Sequence, residues 1–247
     1  MSSSRLPGKV MIPINGEPMI YRQIERIKTA KSVDDLIVAT SSDPSDDSLA
    51  LYLKNKGIEV FRGSLNDVLS RYLEIELKVQ PSTIIRLTGD CPLVMPELID
   101  SMVNCFHRSY ADYLSNTLNP TYPDGLDVEI MRGSALRKLA TLELSAAERE
   151  HVTLGMYTRP KQFVLKNFLN DQDLSGKRWT VDYIEDLIFV ANIYKNFVGR
   201  ESKFSFKEVL SVLDNNPSLV SGIPAERRNE KLREKIEGRD GKHDEIR

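Results

Sequence analysis

The sequence predicts an α/β protein built on a doubly wound, mostly parallel sheet, for two reasons. Short β-branched runs alternate with segments whose apolar side chains recur every three or four positions. This alternation is typical of parallel strands joined by right-handed helical crossovers. Of the 247 residues, 40% are hydrophobic, which is enough for an ordinary globular core.

Three strand–helix units are predicted in the first half of the chain. The strands are DLIVAT (35–40), GIEVFRG (57–63) and STIIRLTGD (82–90), and the helices are predicted near 46–56, over 66–79 and from Pro96 onward. Ligands bind at the carboxyl ends of the strands in such sheets. The loops that follow these three strands are therefore expected to share one rim.

The second half mixes strands and helices without a linker that would mark another domain. Strands are predicted at 111–116, 125–131, 163–168 and 177–181, and helices at 133–143, 146–157 and 183–197. We expect one domain over residues 1–222, with an α+β insertion on its rim. Residues 223–247 form a charged tail, helical or disordered, because so polar a segment cannot bury enough apolar surface to offset its ordering entropy.

Composition excludes several classes of protein. The net charge of −2 indicates no nucleic-acid partner, and no apolar run is long enough for a membrane span. The only cysteines, Cys91 and Cys105, form neither a disulfide framework nor a zinc pattern. With no signal peptide at the N-terminus, we expect the protein to be cytoplasmic.

The first candidate site is the N-terminal stretch SSSRLPGK. The hydroxyls of Ser3 and Ser4, the backbone at Gly8 and the cations of Arg5 and Lys9 suit a polyphosphate, since Arg grips oxygens bidentately and Lys acts as a mobile point charge. It is not a Walker loop, because no Ser or Thr follows the lysine. The alternative interpretation is an ordinary flexible terminus.

Two aspartates at strand ends are candidate metal ligands. Asp90 follows a glycine turn after the strand at 82–90, and Asp182 lies between a predicted strand and a helix. Magnesium prefers one or two carboxylates plus substrate phosphates. The alternatives are an Asx turn at Asp90 and, at Asp182, a helix N-cap with Glu185 completing a capping box.

A third stretch, NTLNPTYPDGLDVE, carries possible sugar ligands. Asn116, Tyr122, Asp124 and Asp127 could bind hydroxyls, although Pro-Asp-Gly is also a common turn former. Asp171 and Asp173 match the D-x-D pattern of metal-dependent glycosyltransferases, but three residues in a polar loop are a weak signal.

Taken in order, six segments resemble one family. SSSRLPGKVMIPINGEPMI, VFRGSLNDVLSRY, RLTGDCPLV, SNTLNPTYPDGLDVE, EREHVT and RWTVDYIEDL are similar to the cytidylyltransferases of the spore coat polysaccharide biosynthesis protein F family. That family is related to the enzymes that make CMP-ketodeoxyoctonate and CMP-sialic acid. The resemblance runs from about residue 2 to residue 219 and implies a fold of the nucleotide-diphospho-sugar transferase type.

The resemblance also implies a reaction and its residues. CMP would pass from CTP to an acidic or phosphorylated sugar for surface polysaccharide biosynthesis, with release of pyrophosphate. The implied catalytic residues are Arg5 and Lys9, on the β- and γ-phosphates, and Asp90, which with Asp182 would bind Mg²⁺. The implied nucleotide-binding set adds Ser3, Ser4, Gly8, Arg86 and Gly89, and the implied sugar ligands are Asn116, Tyr122, Asp124 and Asp127. A homodimer is expected by analogy.

One departure from the family concerns the start of the chain. Members normally begin with an apolar strand ending in Gln-Ala-Arg, and Met1 aligns just after that arginine. We therefore expect the first strand of the sheet to be missing, which would expose unpaired backbone groups on its neighbours. The hypothesis is that the natural protein starts upstream.

Two other functions remain open on the sequence. The missing strand would suit a non-catalytic remnant that binds nucleotide or sugar. A glycosyltransferase that uses a finished nucleotide sugar shares this sheet architecture, and it would depend on Asp171 or Asp173 rather than on Asp90.

Overall fold

The structure, a computed structural model, describes residue 3 and residues 5–219. Its strands are β1 (Pro13–Ile14), β2 (Glu17–Pro18), β3 (Ile37–Ser41), β4 (Glu59–Gly63), β5 (Thr83–Arg86), β6 (Tyr113–Ser115), β7 (Glu129–Arg132) and β8 (Leu165–Asn167). Its α-helices are α1 (Met19–Ile27), α2 (Asp47–Asn55), α3 (Val68–Val79), α4 (Pro96–His107), α5 (Gly133–Ala140), α6 (Ala146–Glu150), α7 (Leu154–Tyr157), α8 (Ile184–Lys195) and α9 (Phe206–Asn215). The predicted charged tail over 223–247 lies outside the described residues.

The α/β class is confirmed, and the strand pairings are mixed. The described residues form three sheets: the antiparallel pair β1-β2, the parallel pair β3-β4, and a four-stranded sheet with the order β5-β7-β6-β8. In that sheet β7 runs antiparallel to both of its neighbours, and β6 pairs in parallel with β8. The antiparallel pairings of the four-stranded sheet therefore both involve β7, whereas the β-α-β unit of β3, α2 and β4 has the predicted parallel form.

Two predicted elements differ in the structure. Residues 177–181 form no strand and make one isolated bridge, between Asp124 and Arg178. The β-branched and aromatic residues there serve burial instead of pairing, since Trp179 is 1% exposed. The helix predicted at 146–157 is two short helices, because Val152 lies between them with φ of 51°. Helix α9 was not predicted.

A groove separates the sheet of β3 and β4 from the four-stranded sheet. Within the described residues, β3 pairs only with β4 and β5 pairs only with β7, so each strand has a second edge without a partner strand. A cavity of about 760 Å³ lies between these edges and is lined by Val38, Ala39, Ile84 and Ile85. The residues of β5 are only half-buried, unlike those of β6. A gap of this kind suits the hypothesis of a missing interior strand, which stays a prediction.

The main hydrophobic core positions the two loops of the candidate site. It packs Ile99 and Phe106 of α4 against Phe189 of α8, together with Leu93 and Trp179 from the loops that precede these helices. Burial on this scale stabilises each large side chain by ~1.5–3 kcal/mol. The segments around residues 90 and 182 are thus held side by side. None of the described helices has the length and apolar character needed to cross a bilayer.

Candidate active site

The N-terminal loop enters the site through a left-handed glycine. Gly8 has φ of 70°, a conformation that a side chain would strain, and it leads into a 3-10 turn over Lys9–Met11. The turn is closed by hydrogen bonds from Lys9 N to Leu6 O at 3.2 Å and from Met11 N to Gly8 O at 2.9 Å. This backbone brings the Lys9 side chain to the carboxyl end of β5.

The ammonium group of Lys9 lies between the two predicted metal ligands. Its Nζ donates to Asp90 Oδ2 at 3.2 Å, to Asp182 Oδ1 at 2.9 Å and to the carbonyl oxygen of Val181 at 2.6 Å. The side chain of Lys9 is only 11% exposed. The predicted proximity of Asp90 and Asp182 is therefore present, and a lysine from the N-terminal loop bridges them.

Arg5 contacts the same carboxylate. Its Nη2 lies 2.6 Å from Asp182 Oδ1, and its guanidinium carbon lies 5.2 Å from the centre of the Tyr183 ring. Burial opposes the charge of Arg5, yet Asp182 and Tyr183 together outweigh that cost and raise the pKa of the guanidinium. Arg5 and Lys9, the two predicted phosphate ligands of the loop, thus contact the same oxygen of Asp182.

Asp90 joins the loop after β5 to the loop before α8. Its Oδ1 accepts from Thr88 Oγ1 at 2.6 Å, which leaves Oδ2 for Lys9. Its carbonyl oxygen accepts from Val181 N at 2.8 Å and from Thr180 Oγ1 at 3.2 Å. Burial disfavours the carboxylate, but Lys9 and Thr88 stabilise it and hold the pKa of Asp90 below its usual value.

Arg178, a residue not predicted from the sequence, fixes the orientation of the Asp182 carboxylate. Arg178 Nη2 donates to Asp182 Oδ2 at 3.0 Å, while Nη1 donates to Asp124 at 2.8 Å and Nε to Asp186 at 3.1 Å. Its side chain is 2% exposed. The signal available in the sequence was the spacing of Arg178, Asp182 and Asp186 at intervals of four.

The start of α8 differs from the predicted cap. The helix begins at Ile184 with Tyr183 as N-cap, so Asp182 and Glu185 do not form the expected capping box. Instead, Asp186 Oδ2 accepts from the backbone N–H groups of Asp182 and Tyr183, at 2.9 and 3.1 Å. Asp186 therefore serves the helix terminus, and the Asp182 carboxylate is available to face Lys9.

The donor set fits magnesium. Asp90 and Asp182 offer carboxylate oxygens, which Mg²⁺ prefers together with phosphate oxygens and water. Within the part of the chain that the structure describes, no group of three or more His, Cys, Asp or Glu side chains is arranged to hold a metal. Two carboxylates suit a metal that is shared with a triphosphate, and they do not suit an all-protein structural site.

Three of the four predicted sugar ligands are buried. Asn116 is 0% exposed, and its amide pairs with the backbone of Leu126 and Val128. Asp124 forms the buried ion pair with Arg178. These contacts give both residues a role in holding the loop, and their contact with a sugar stays a prediction.

The position of Asp124 depends on the glycine that follows it. Gly125 has φ of 103°, and a Cβ there would lie 2.3 Å from Thr180 N. Because glycine has no Cβ, the loop at residues 124–125 can pack closely against the backbone of residues 177–180.

Tyr122 and Asp127 differ in their surroundings. Tyr122 is 9% exposed and stacks on Phe168, with ring centroids 6.3 Å apart. Asp127 is half-buried. The pKa of the Cys91 thiol is raised first by burial, then by the charge of Asp90, and then by the charge of Asp127. Asp127 is therefore the predicted sugar ligand that combines accessibility with proximity to Cys91, the residue that follows Asp90.

Arg86, predicted as a nucleotide ligand, has a different partner. Its Nη1 forms an ion pair with Glu129, whose carboxylate also accepts from Tyr113 Oη at 2.6 Å and from Thr153 Oγ1. Burial opposes the charge of Arg86, but Glu129, together with Tyr72 and Tyr113, outweighs it and raises the pKa of the guanidinium. The cluster ties β5 to β6, β7 and the turn before α7, and nucleotide binding by Arg86 stays a prediction.

Ser3 and Gly89, two further predicted nucleotide ligands, make local contacts. Ser3 Oγ accepts from Leu6 N at 3.3 Å, and Ser4 lies outside the described residues. Gly89 packs closely, since a Cβ there would lie 3.3 Å from Ile20 Cδ1 and 3.7 Å from Val10 Cγ1. Asp171 and Asp173 are in a loop, as expected, and both are exposed.

A basic loop that faces two carboxylates beyond a strand end suits phosphates and a metal ion, and similarity to known proteins shows the family. The model of the cytidylyltransferase family matches residues 1–206, and the chain belongs to that family. It is therefore an enzyme of the nucleotidyltransferase class.

Three similar proteins illustrate the relationship. The spore coat polysaccharide biosynthesis protein SpsF of Bacillus subtilis is 33% identical over 229 residues, which cover 90% of this chain and 93% of that protein. A cytidylyltransferase from Leptospira borgpetersenii is similar in structure, with a TM-score of 0.85, 32% identity, and coverage of 90% of this chain and 94% of the other. An 8-amino-3,8-dideoxy-manno-octulosonate cytidylyltransferase from a Shewanella species is 29% identical over 51% of this chain and 52% of its own length. The family predicted from the six sequence segments is confirmed.

Proposed function

We propose that this enzyme transfers CMP from CTP to an acidic or phosphorylated sugar and releases pyrophosphate, as a step of surface polysaccharide biosynthesis. The observation that carries the proposal is the convergence of Arg5 and Lys9 on Asp90 and Asp182, from three segments far apart in the sequence. The name of the Bacillus relative supports the biosynthetic context, and the name of the Shewanella relative supports a sugar acid as acceptor.

In the proposed reaction, an oxygen of the sugar attacks the α-phosphorus of CTP. The bond to the bridging oxygen breaks, pyrophosphate leaves, and a hydroxyl acceptor gives its proton to solvent. Asp90 and Asp182 would hold Mg²⁺, which supplies charge neutralisation and in-line positioning of the triphosphate. Arg5 and Lys9 bind the β- and γ-phosphates and stabilise the charge that develops on pyrophosphate.

The protein residues act mainly by position. Arg178 holds Asp182, and the hydrogen bonds from residues 180 and 181 to the Asp90 carbonyl hold the two carboxylates together. Asp127 is the sugar ligand that we favour, while Tyr122 would form an apolar wall beside it. Cytoplasmic location and a homodimer remain predictions.

The test is a pyrophosphate-release assay with purified protein, CTP, Mg²⁺ and a panel of sugar acids and sugar phosphates. We expect release with CTP and one class of sugar, and none without sugar. Asp90→Asn is expected to slow it by ~10²–10³-fold, and Lys78→Met, at an exposed ion pair with Glu59, is the control. Nucleotide binding without release for any sugar would favour the non-catalytic remnant and would reject the proposal.

A further inference from the structure

Three contacts within the protein use the full hydrogen-bonding capacity of the Lys9 ammonium group. An ammonium group has three N–H donors. Lys9 has three acceptors within 3.2 Å, namely one oxygen each from Asp90, Asp182 and the Val181 carbonyl. None of these donors is left for a phosphate. The residue assigned to the triphosphate must therefore leave the carboxylates before it can bind that ligand.

The Asp182 oxygen that faces the site is shared by two cations. Arg5 Nη2 lies 2.6 Å and Lys9 Nζ 2.9 Å from Asp182 Oδ1, while Arg178 occupies Oδ2 from the opposite side. Mg²⁺ binds carboxylate oxygens at ~2.0–2.1 Å. A divalent ion on Oδ1 would thus lie next to a buried ammonium, and like charges so close and so little hydrated repel strongly.

We propose that Lys9 occupies the cation position between Asp90 and Asp182 in the free enzyme, and that divalent metal and triphosphate bind as a cooperative pair because each requires Lys9 to leave. The inference rests on the proposed function and concerns how ligand binding at that same site is regulated. Arg5 takes part in the exchange from the rim of the site, whereas Arg178 stays in place.

The exchange has two coupled halves. A metal ion that takes over the two carboxylates releases Lys9 and Arg5, whose donors then become available to phosphate oxygens. A triphosphate that attracts these two cations uncovers the carboxylates for the metal. Since coupling between two ligands is reciprocal, each ligand strengthens the binding of the other by the same factor.

The first experiment measures Mn²⁺ alone, by electron paramagnetic resonance, with the full chain and no nucleotide. Lys9→Met keeps the length of the side chain and removes its charge, so we expect Mn²⁺ to bind roughly 10-fold more tightly to this variant than to the wild type, a typical coupling factor. Lys78→Met removes the same charge far from Asp90 and Asp182 and should bind Mn²⁺ as the wild type does. Equal Mn²⁺ affinity of Lys9→Met and wild type would overturn the proposal.

The second experiment adds a CTP analogue with a non-hydrolysable bond between the α- and β-phosphorus atoms. In the wild type it should strengthen Mn²⁺ binding, and in Lys9→Met the factor of strengthening should be smaller. An unchanged factor would also overturn the exchange. Arg5→Met serves as a second variant if Lys9→Met does not fold, and it should show the same two effects to a smaller degree.

These outcomes separate the exchange from the proposed function. If the wild type and Lys9→Met bind Mn²⁺ equally and the wild type still forms CMP-sugar, only the exchange is rejected. If neither the wild type nor Lys9→Met binds Mn²⁺ or the CTP analogue, the proposed function and the exchange are both rejected.

Discussion

Arg178 and Asp182 form a buried ion pair in which Nη2 of the arginine lies 3.0 Å from Oδ2 of the aspartate. The contact is on the side of the carboxylate away from Lys9, which lies 2.9 Å from Oδ1. The same guanidinium binds Asp124 and Asp186. Arg178 therefore fixes the orientation of Asp182 and also ties the loop at residue 124 to the start of α8.

Removal of Arg178 is expected to weaken the metal site. Loss of a residue that orients a metal ligand lowers metal affinity or turnover by roughly 10–100-fold, and we expect this for Arg178→Lys, which keeps the charge but loses the planar fork. Mn²⁺ affinity and kcat are the measurements. Arg200→Lys, at an exposed ion pair with Glu208, is the matched control. Wild-type Mn²⁺ affinity in Arg178→Lys would contradict the positioning role.

The larger change Arg178→Met should also destabilise the fold. It deprives the buried carboxylates of Asp124 and Asp186 of their arginine counter-charge, which costs ~3–5 kcal/mol. Chemical denaturation measures the free energy of unfolding, and a variant as stable as the wild type would show that these carboxylates find other partners.

Asp90 should be required for turnover, and Asp171 should not. Asp90→Asn removes one of the two carboxylates at the phosphate site, and we expect kcat to fall by ~10²–10³-fold, the size seen for removal of one electrostatic contact at a reacting centre. Asp171→Asn alters an exposed loop and should keep wild-type kcat. The reverse pattern would support the glycosyltransferase alternative. Circular dichroism checks that each variant is folded.

The ion pair between Lys9 and Asp90 should make stability depend on pH at both extremes. The folded-state pKa of Asp90 is lowered, so its contribution is complete above the unfolded value of ~3.9 and is lost as the pH falls through the folded-state pKa. The pKa of Lys9 is raised, so its contribution is complete below ~10.4 and is lost as the pH rises through its folded-state pKa. Stability from this pair is thus constant between those limits.

Lys9→Met tests this dependence on the acid side. Without the ammonium, burial raises the pKa of Asp90, and the variant should unfold at a higher pH than the wild type. Circular dichroism during acid titration measures the midpoint, with Lys78→Met as control. Identical midpoints for Lys9→Met and the wild type would show that the pair does not influence acid stability.

The two cysteines should react at very different rates. Cys91 is 4% exposed, and burial followed by the charge of Asp90 raises the pKa of its thiol well above the ordinary value. Cys105 is half-buried. Because the thiolate is the reactive form, iodoacetamide should modify Cys105 first in the native protein, and both cysteines after unfolding. Mass spectrometry identifies the site, and equally fast labelling of Cys91 would contradict the expectation.

The groove between β3 and β5 should accept an added strand. A five-residue apolar segment fused ahead of Met1 would match the length of β3 and could pair with the open edges of β3 and β5. We expect slower amide hydrogen exchange in both strands than in the unmodified chain. A Gly-Ser extension of equal length is the control, and equal exchange in the two fusions would argue against the hypothesis of a missing strand.

Local pattern was sufficient for much of the fold. The alternation of β-branched runs with amphipathic segments predicts β3, α2, β4, α3, β5 and α4 within a few residues, because each of these elements buries one regular face. Residues 177–181 show the limit of that reasoning. Their strand-like composition serves burial of Trp179 and Val181, and the only bridge they make is set by Asp124, more than fifty residues away in the sequence.

Residue type and strand position were likewise sufficient to select Arg5, Lys9, Asp90 and Asp182 as candidate phosphate and metal ligands, and those roles stay predictions. Which atoms meet depends on packing between distant segments. The core between α4 and α8 brings the Asp90 and Asp182 loops together, and Lys9 reaches both through a turn at Gly8. The role of Arg178 becomes clear only there. Its spacing of four residues to Asp182 and of eight to Asp186 is local, but burial of its charge also requires Asp124, which lies more than fifty residues away in the sequence.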